Sequence, residues 1–190
     1  MKMNRFILFF ILIFFFVTPV FGKEPVDIAA IYALTGAAAE SNREALQGVG
    51  YAVDEINRQG GVLGRKINLL VYDNQSTPIG STVAAKRAAE ANVVGIVGSD
   101  WSSHSIAVAK VAQKVGIPMI SSYSTNPEVT KIGDYIFRVC FTDDFQGKII
   151  ARFARQDLNI NTAVIFVDVT SDYSIKLSEI FRKNFEQLGG

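Results

Sequence analysis

The chain has 190 residues, 49% of them hydrophobic, with 19 Lys and Arg against 18 Asp and Glu. A balance this close to neutral gives no electrostatic reason to expect nucleic acid or an anionic surface as a partner. With a single Cys and a single His, an internal disulfide is excluded and a Cys/His metal site of the usual spacing is not expected.

The predicted elements begin with a leader. Lys2 and Arg5 precede the apolar run from Phe6 to Val17, and Thr18-Pro19-Val20-Phe21-Gly22 follows. This order of parts predicts a secretory signal at 1–22, cut after Gly22 so that Val20 and Gly22 fall at the −3 and −1 positions. The run is short of the roughly 20 residues that a membrane span needs, and no Cys near the cut offers a lipid anchor. Export to the periplasm or cell envelope is therefore expected. The leader takes two positive charges with it and no acid, so the mature chain stays near neutral.

Beyond the leader, strand and helix patterns alternate. Val26 to Tyr32 reads as a buried strand closed by Leu34-Thr35-Gly36, and Ala45, Leu46, Val49, Ala52, Val53 and Ile56 recur at helical spacing until Gly60-Gly61. Gly48 and Gly50 in that helix read as points of close packing against a sheet. Ile67 to Tyr72 is a strand, and Pro78 to Ala91 a helix with proline in its first turn. The strand Val93 to Val97, the helix Ser103 to Val115 and the strand Ile117 to Ile120 come next, and then the turn Asn126-Pro127. Tyr135 to Phe141 is a strand candidate, with Cys140 read as a small buried residue. Phe145, Ile149, Ile150, Phe153 and Ala154 share a helix face, Ala163 to Val167 reads as a strand, and Leu177, Ile180, Phe181, Phe185 and Leu188 share the final helix face. Such alternation predicts an α/β fold, a parallel sheet covered on both sides with right-handed crossovers. Gly189-Gly190 is a helix stop after which another strand should begin, so the sequence is expected to be a piece of a longer protein.

Two strands break into turns crowded with hydroxyls, Gly98-Ser99-Asp100-Trp101-Ser102-Ser103 and Ser121-Ser122-Tyr123-Ser124-Thr125. In parallel sheets ligands bind just beyond the carboxyl ends of strands, so these turns predict a small polar ligand held by hydrogen bonds. Ser102 is placed as the N-cap of the following helix, whose unpaired N–H groups favour a carboxylate. Trp101 and Tyr123 flank the turns, either as walls of an apolar pocket or as packing residues. No enzyme signature stands beside them. A P-loop is missing, Gly95 to Gly98 lacks dinucleotide spacing, and His104 between Ser103 and Ser105 has no Gly-x-Ser-x-Gly elbow. Catalysis and a cofactor are not expected.

Six stretches in order resemble the branched-chain amino acid (leucine-binding) type of periplasmic substrate-binding protein that serves ABC transporters. They are Asp54-Glu55-Ile56-Asn57 with Gly60-Gly61-Val62-Leu63-Gly64; Asp73-Asn74; Thr125-Asn126-Pro127-Glu128-Val129-Thr130; Phe137-Arg138; Asp143 to Gln146-Gly147; and Asp172-Tyr173-Ser174. The resemblance implies the periplasmic binding protein type I fold, two doubly wound lobes joined by a hinge and closing on ligand. Residues 23–142 would form most of lobe 1, and 143–190 the incomplete start of lobe 2, with the crossing near Thr142-Asp143. It implies a ligand carboxylate at Ser102 and the Thr125 turn, with Ser103 and Ser124 alongside. The ligand ammonium would face the Tyr123 carbonyl and the Thr125 hydroxyl, Tyr173 would close over the ligand from lobe 2, and Asp143 would lie at the crossing. Two departures stand out: Ser41 replaces a common ligand-stacking aromatic, and Tyr123 replaces a small residue. The implied function is that of a monomeric solute-binding component of an ABC importer, handing an aliphatic amino acid or related small polar compound to a membrane permease. A sensory ectodomain of the same fold is the rival reading. A secreted hydrolase is disfavoured by the lone His104.

Overall fold

The computed structural model describes residues 23–190. The predicted signal lies outside the described residues, and among these no helix is long and apolar enough to cross a membrane. Five parallel strands form one sheet in the order β2-β1-β3-β4-β5. They are β1 (Val26–Tyr32), β2 (Ile67–Asp73), β3 (Ile96–Gly98), β4 (Met119–Ser121) and β5 (Ile136–Arg138). Helices follow each: α1 (Ala39–Arg58), α2 (Pro78–Glu90), α3 (Ser102–Val115), the single turn α4 (Glu128–Lys131) and α5 (Asp143–Arg152). A π-helical turn at Phe153–Asp157 leads on to α6 (Asp172–Gln187).

The chain steps outward from β1 to β2, then crosses back to β3 and continues the other way. The order therefore reverses between β1 and β3, and this crevice is where doubly wound sheets bind ligands. Side chains alternate across β1: Ala29 and Ile31 join the main core under α2 and α3, and Tyr32 faces the other side. That core is built on small helix residues, Ala84, Ala85 and Ala88 on α2 with Ala109 and Ala112 on α3, against Ile96, Met119 and Ile136 of the sheet. Alanines let both helices lie close to the strands and to each other, which a row of leucines would prevent. Thr77 caps α2 by accepting from the Gly80 amide, with Pro78 in the first turn as predicted. Gly116 ends α3 in the left-handed conformation, φ 73°.

Several expectations need correction. Gly48 and Gly50 do not mark close approach to the sheet, because a Cβ at either would meet nothing within 4 Å. The glycine that does answer to close backbone packing is Gly98, where φ is 112° and a Cβ would collide with the Ile31 carbonyl. Ala163 to Val167 forms no strand. Among the described residues no strand lies alongside it, and an extended segment without a partner is not sheet however β-prone its side chains. Of Tyr135 to Phe141 only Ile136–Arg138 pairs, and Cys140 is half-buried rather than buried. The aromatic face of α5 is turned outward, with Phe145, Ile149, Ile150 and Phe153 exposed. The helix buries Gly147 and Ala151 instead, because the absent side chain of Gly147 admits Ile180 of α6.

Candidate functional site

The two hydroxyl-rich turns do come together at the carboxyl edge, and most of their hydroxyls hold the edge itself. Ser105 and Ser121 donate to the Ser99 carbonyl at 2.9 and 2.8 Å, and Ser99 Oγ donates to the Ile31 carbonyl at 2.9 Å. Ser124 Oγ lies 2.8 Å from the Asp100 carbonyl and 2.7 Å from Ser105 Oγ. These buried bonds tie the ends of β1, β3 and β4 into one rigid rim. Ser124, singled out from the sequence as lining a ligand, is thus a member of the scaffold.

Ser102 begins α3 as its first helical residue, one position inside the expected cap. Trp101 takes the cap position with extended backbone and no side-chain cap bond. The first-turn N–H groups of α3 consequently lack helical partners. Ser102 is buried, and its Oγ accepts from the Asn126 amide at 3.3 Å, which sets the Thr125 turn directly against the start of α3. Ser103, next in the helix, is half-buried. Trp101, 44% exposed, stacks on the buried His104 ring with centroids 5.3 Å apart and planes 18° apart. Burial lowers the His104 pKa, opposed by the backbone of Ser76, so burial favours the neutral ring on which Trp101 stacks. Tyr123 is 71% exposed and stands clear of the rim.

Arg138, at the end of β5, is the clamp that sequence reasoning quoted only as part of a motif. Its guanidinium donates to the carbonyls of Ser124 (2.7 Å), Asn126 (2.9 Å) and Pro127 (3.2 Å) and to Thr130 Oγ1 (2.8 Å). One planar cation thereby shapes the loop that carries Thr125. Asn126 links this loop onward, its Nδ2 donating to the Asp172 carbonyl at 2.9 Å beside Tyr173. The Tyr173 hydroxyl accepts from Gln146 at 3.2 Å, so α5 and α6 are joined at the same end of the molecule. Ser41, in the first turn of α1, is exposed and its Oγ donates to the Ala38 carbonyl at 3.1 Å.

Asp143 starts α5, and its amide donates to the Thr125 carbonyl at 2.9 Å. The side chain is 0% exposed, and neither carboxyl oxygen has a hydrogen-bond partner among the described residues. Burial raises its pKa, opposed by the Thr125 hydroxyl, which is close by but outside hydrogen-bond geometry, and by the Arg138 guanidinium. A carboxyl whose folded-state pKa is raised helps folding most below the ordinary carboxylate range, and that help is lost as pH climbs through the raised value. Asp143→Asn, which removes the charge, is expected to stabilise the protein by about 1 kcal/mol or more at neutral pH. The gain should shrink as pH falls toward about 4. Urea unfolding across that range measures it, and a variant no more stable than wild type at pH 7 contradicts the reading that burial outweighs the Arg138 attraction at this carboxyl.

Trp101, Ser102, Ser103, Ser124, Thr125 and Asp143 are thus gathered at one edge with Tyr173 nearby, while Tyr123 projects from it. The residues missed from the sequence are the supporting ones, Ser99, Ser105, Asn126 and Arg138. Ser99 and Asn126 lay in turns already singled out and Arg138 was a cation inside an apolar strand run, but none of them carried a sign of its supporting role.

Comparison with known proteins places the fold in a family. The periplasmic binding protein family model matches residues 25–190. The Leu/Ile/Val-binding protein BraC3 of Rhizobium johnstonii is 30% identical over 83% of this chain and 43% of its own length. An amino acid binding protein of Pseudomonas aeruginosa is 31% identical over 82% of this chain and 42% of its own. The crystal structure of the leucine binding protein LivK from Thermotoga maritima superposes with a TM-score of 0.82 at 37% identity, covering 87% of this chain and 47% of that one. LivJ from Streptococcus pneumoniae, solved in complex with isoleucine, gives 0.80 at 32% identity over 85% and 47%. The chain spans less than half the length of the relatives it matches. On the family match over residues 25–190 and the shared fold, this chain belongs to the periplasmic binding protein family, a family of substrate-binding proteins and not of enzymes.

Proposed function

We propose that the protein is the exported solute-binding component of an ABC importer, taking an aliphatic amino acid or a related small polar compound and delivering it to a membrane permease. The observation that carries this reading is the junction of the α3 start with the Thr125 turn, held by Ser102 Oγ and the Asn126 amide. Free first-turn N–H groups beside hydroxyls suit a ligand carboxylate, through hydrogen bonds and the helix dipole together. The Thr125 hydroxyl and the Tyr123 carbonyl are the acceptors for the ligand ammonium, and Tyr173 is the lid residue from the second lobe. Residues 23–142 belong to lobe 1 in this reading, and 143–190 to lobe 2, with Thr142-Asp143 at the crossing. The related Leu/Ile/Val-binding protein of Rhizobium johnstonii and the amino acid binding protein of Pseudomonas aeruginosa favour an amino acid as ligand. The transporter proteins among the structural neighbours favour the importer over a sensory ectodomain. Titration calorimetry of the whole protein, as its gene encodes it, against a panel of amino acids is expected to show one-to-one binding of at least one. Heat from none of them overturns the proposal.

A further inference from the structure

Asp100 occupies the β3–α3 turn with 8% of its surface exposed. Its Oδ1 accepts from the Ser122 hydroxyl at 2.6 Å, and Ser122 Oγ lies 3.1 Å from the Tyr32 hydroxyl. These residues stand at the ends of β3, β4 and β1, so the carboxyl sits at the point where the strand order reverses, two positions before Ser102. Among the described residues Asp100 forms no ion pair, and Ser122 supplies its side chain's hydrogen bond. Burial raises the Asp100 pKa, opposed by Ser122, and the same carboxyl helps push Tyr32, already raised by its own burial, up to about 12.

Tying Ser122 and Tyr32 to the rim requires only an acceptor, which an asparagine supplies without the cost of burying charge. A buried carboxylate without a countercharge, at the edge where ligand enters, is accounted for by a partner that arrives with the ligand. Direction narrows that partner. Tyr32 lies on the sheet face opposite α2 and α3, and the Asp100 carboxyl is directed to the Ser122–Tyr32 pair, whereas the free N–H groups belong to the start of α3. With the ligand ammonium assigned above to the Thr125 hydroxyl and the Tyr123 carbonyl, this carboxyl is left for another donor on the same molecule.

Resting on the amino acid reading above, we propose that Asp100 is a specificity-determining residue that receives a hydrogen-bond-donating nitrogen, amide or ammonium, on the ligand side chain. The protein then takes such an amino acid in preference to a plain aliphatic one. Calorimetry of the whole protein with leucine, glutamine and ornithine tests this. Glutamine or ornithine is expected to bind at least about 10-fold tighter than leucine, the size of effect that a charge-assisted bond supplies. Asp100→Asn, which keeps an acceptor for Ser122, should erase that preference while changing leucine affinity by less than about 3-fold. Leucine binding tightest to wild type overturns the inference and leaves the amino acid reading standing. So does an Asp100→Asn variant that weakens all three equally, since a merely structural residue would act on every ligand alike. Binding of none of the three overturns this inference, and the wider amino acid panel then decides the reading on which it rests.

Discussion

Ser102→Ala and Thr125→Ala are each expected to weaken amino acid binding about 10-fold, and the double variant about 100-fold, because the proposed function sets each hydroxyl against a charged ligand group and such bonds contribute about 1.5–3 kcal/mol. Binding should weaken rather than vanish, since the α3 N–H groups remain in place. Ser102 has a second duty that complicates the single variant: it accepts the Asn126 amide, so its loss also loosens the turn that carries Thr125. The two effects separate in a thermal melt run beside the calorimetry. Loss of affinity with an unchanged melt reports the ligand contact, and a lowered melt reports the turn. Unchanged affinity in both single variants would remove these residues from the site.

The largest stability effect is expected at Arg138. Its guanidinium holds the Ser124, Asn126 and Pro127 carbonyls and the Thr130 hydroxyl, and Arg138→Met leaves those acceptors without the cation while keeping most of the apolar stem. The loss should destabilise the protein by about 3 kcal/mol, the site being part-buried so that water recovers some of the bonds. Arg138→Lys should recover only a minor share, because an ammonium cannot spread over acceptors that a planar fork reaches together. Equilibrium urea unfolding measures both, and a cost below about 1 kcal/mol for the Met variant would show that the loop keeps its shape without the clamp. Ligand affinity should fall with stability in this series, since the clamped loop is the one that presents Thr125.

How much of this was legible beforehand differs from residue to residue. The strand runs at Val26 and Ile67 and the helices between them announced themselves, and the runs from Val93 and Ile117 each hold a strand displaced toward its end, Ile96–Gly98 and Met119–Ser121. Ser102 and Thr125 were legible for a related reason: turns at the ends of adjacent parallel strands must meet at one edge. Ser124 was placed at the right edge, yet its hydroxyl serves the scaffold, and nothing local in the sequence separates a hydroxyl facing a ligand from one facing a carbonyl of the next turn.

The failures share a cause. Ala163 to Val167 has every side chain a strand asks for, but strand identity lies in a partner's hydrogen bonds, which composition does not contain. The face shared by Phe145, Ile149, Ile150 and Phe153 was legible as a face but its outward direction was not, since helical periodicity shows which residues share a face and not what lies across from it. The sequence by itself therefore determined the α/β alternation and the meeting of two hydroxyl-rich turns at one sheet edge, both of them properties of short contiguous segments. Only the tertiary structure decided that Arg138 clamps the Thr125 loop, that Asp143 is buried without a hydrogen-bond partner and that Asp100 lies between Ser122 and Tyr32. Each of those depends on groups far apart in the chain and brought within a few ångströms by the sheet, and that distance is set by packing rather than by order.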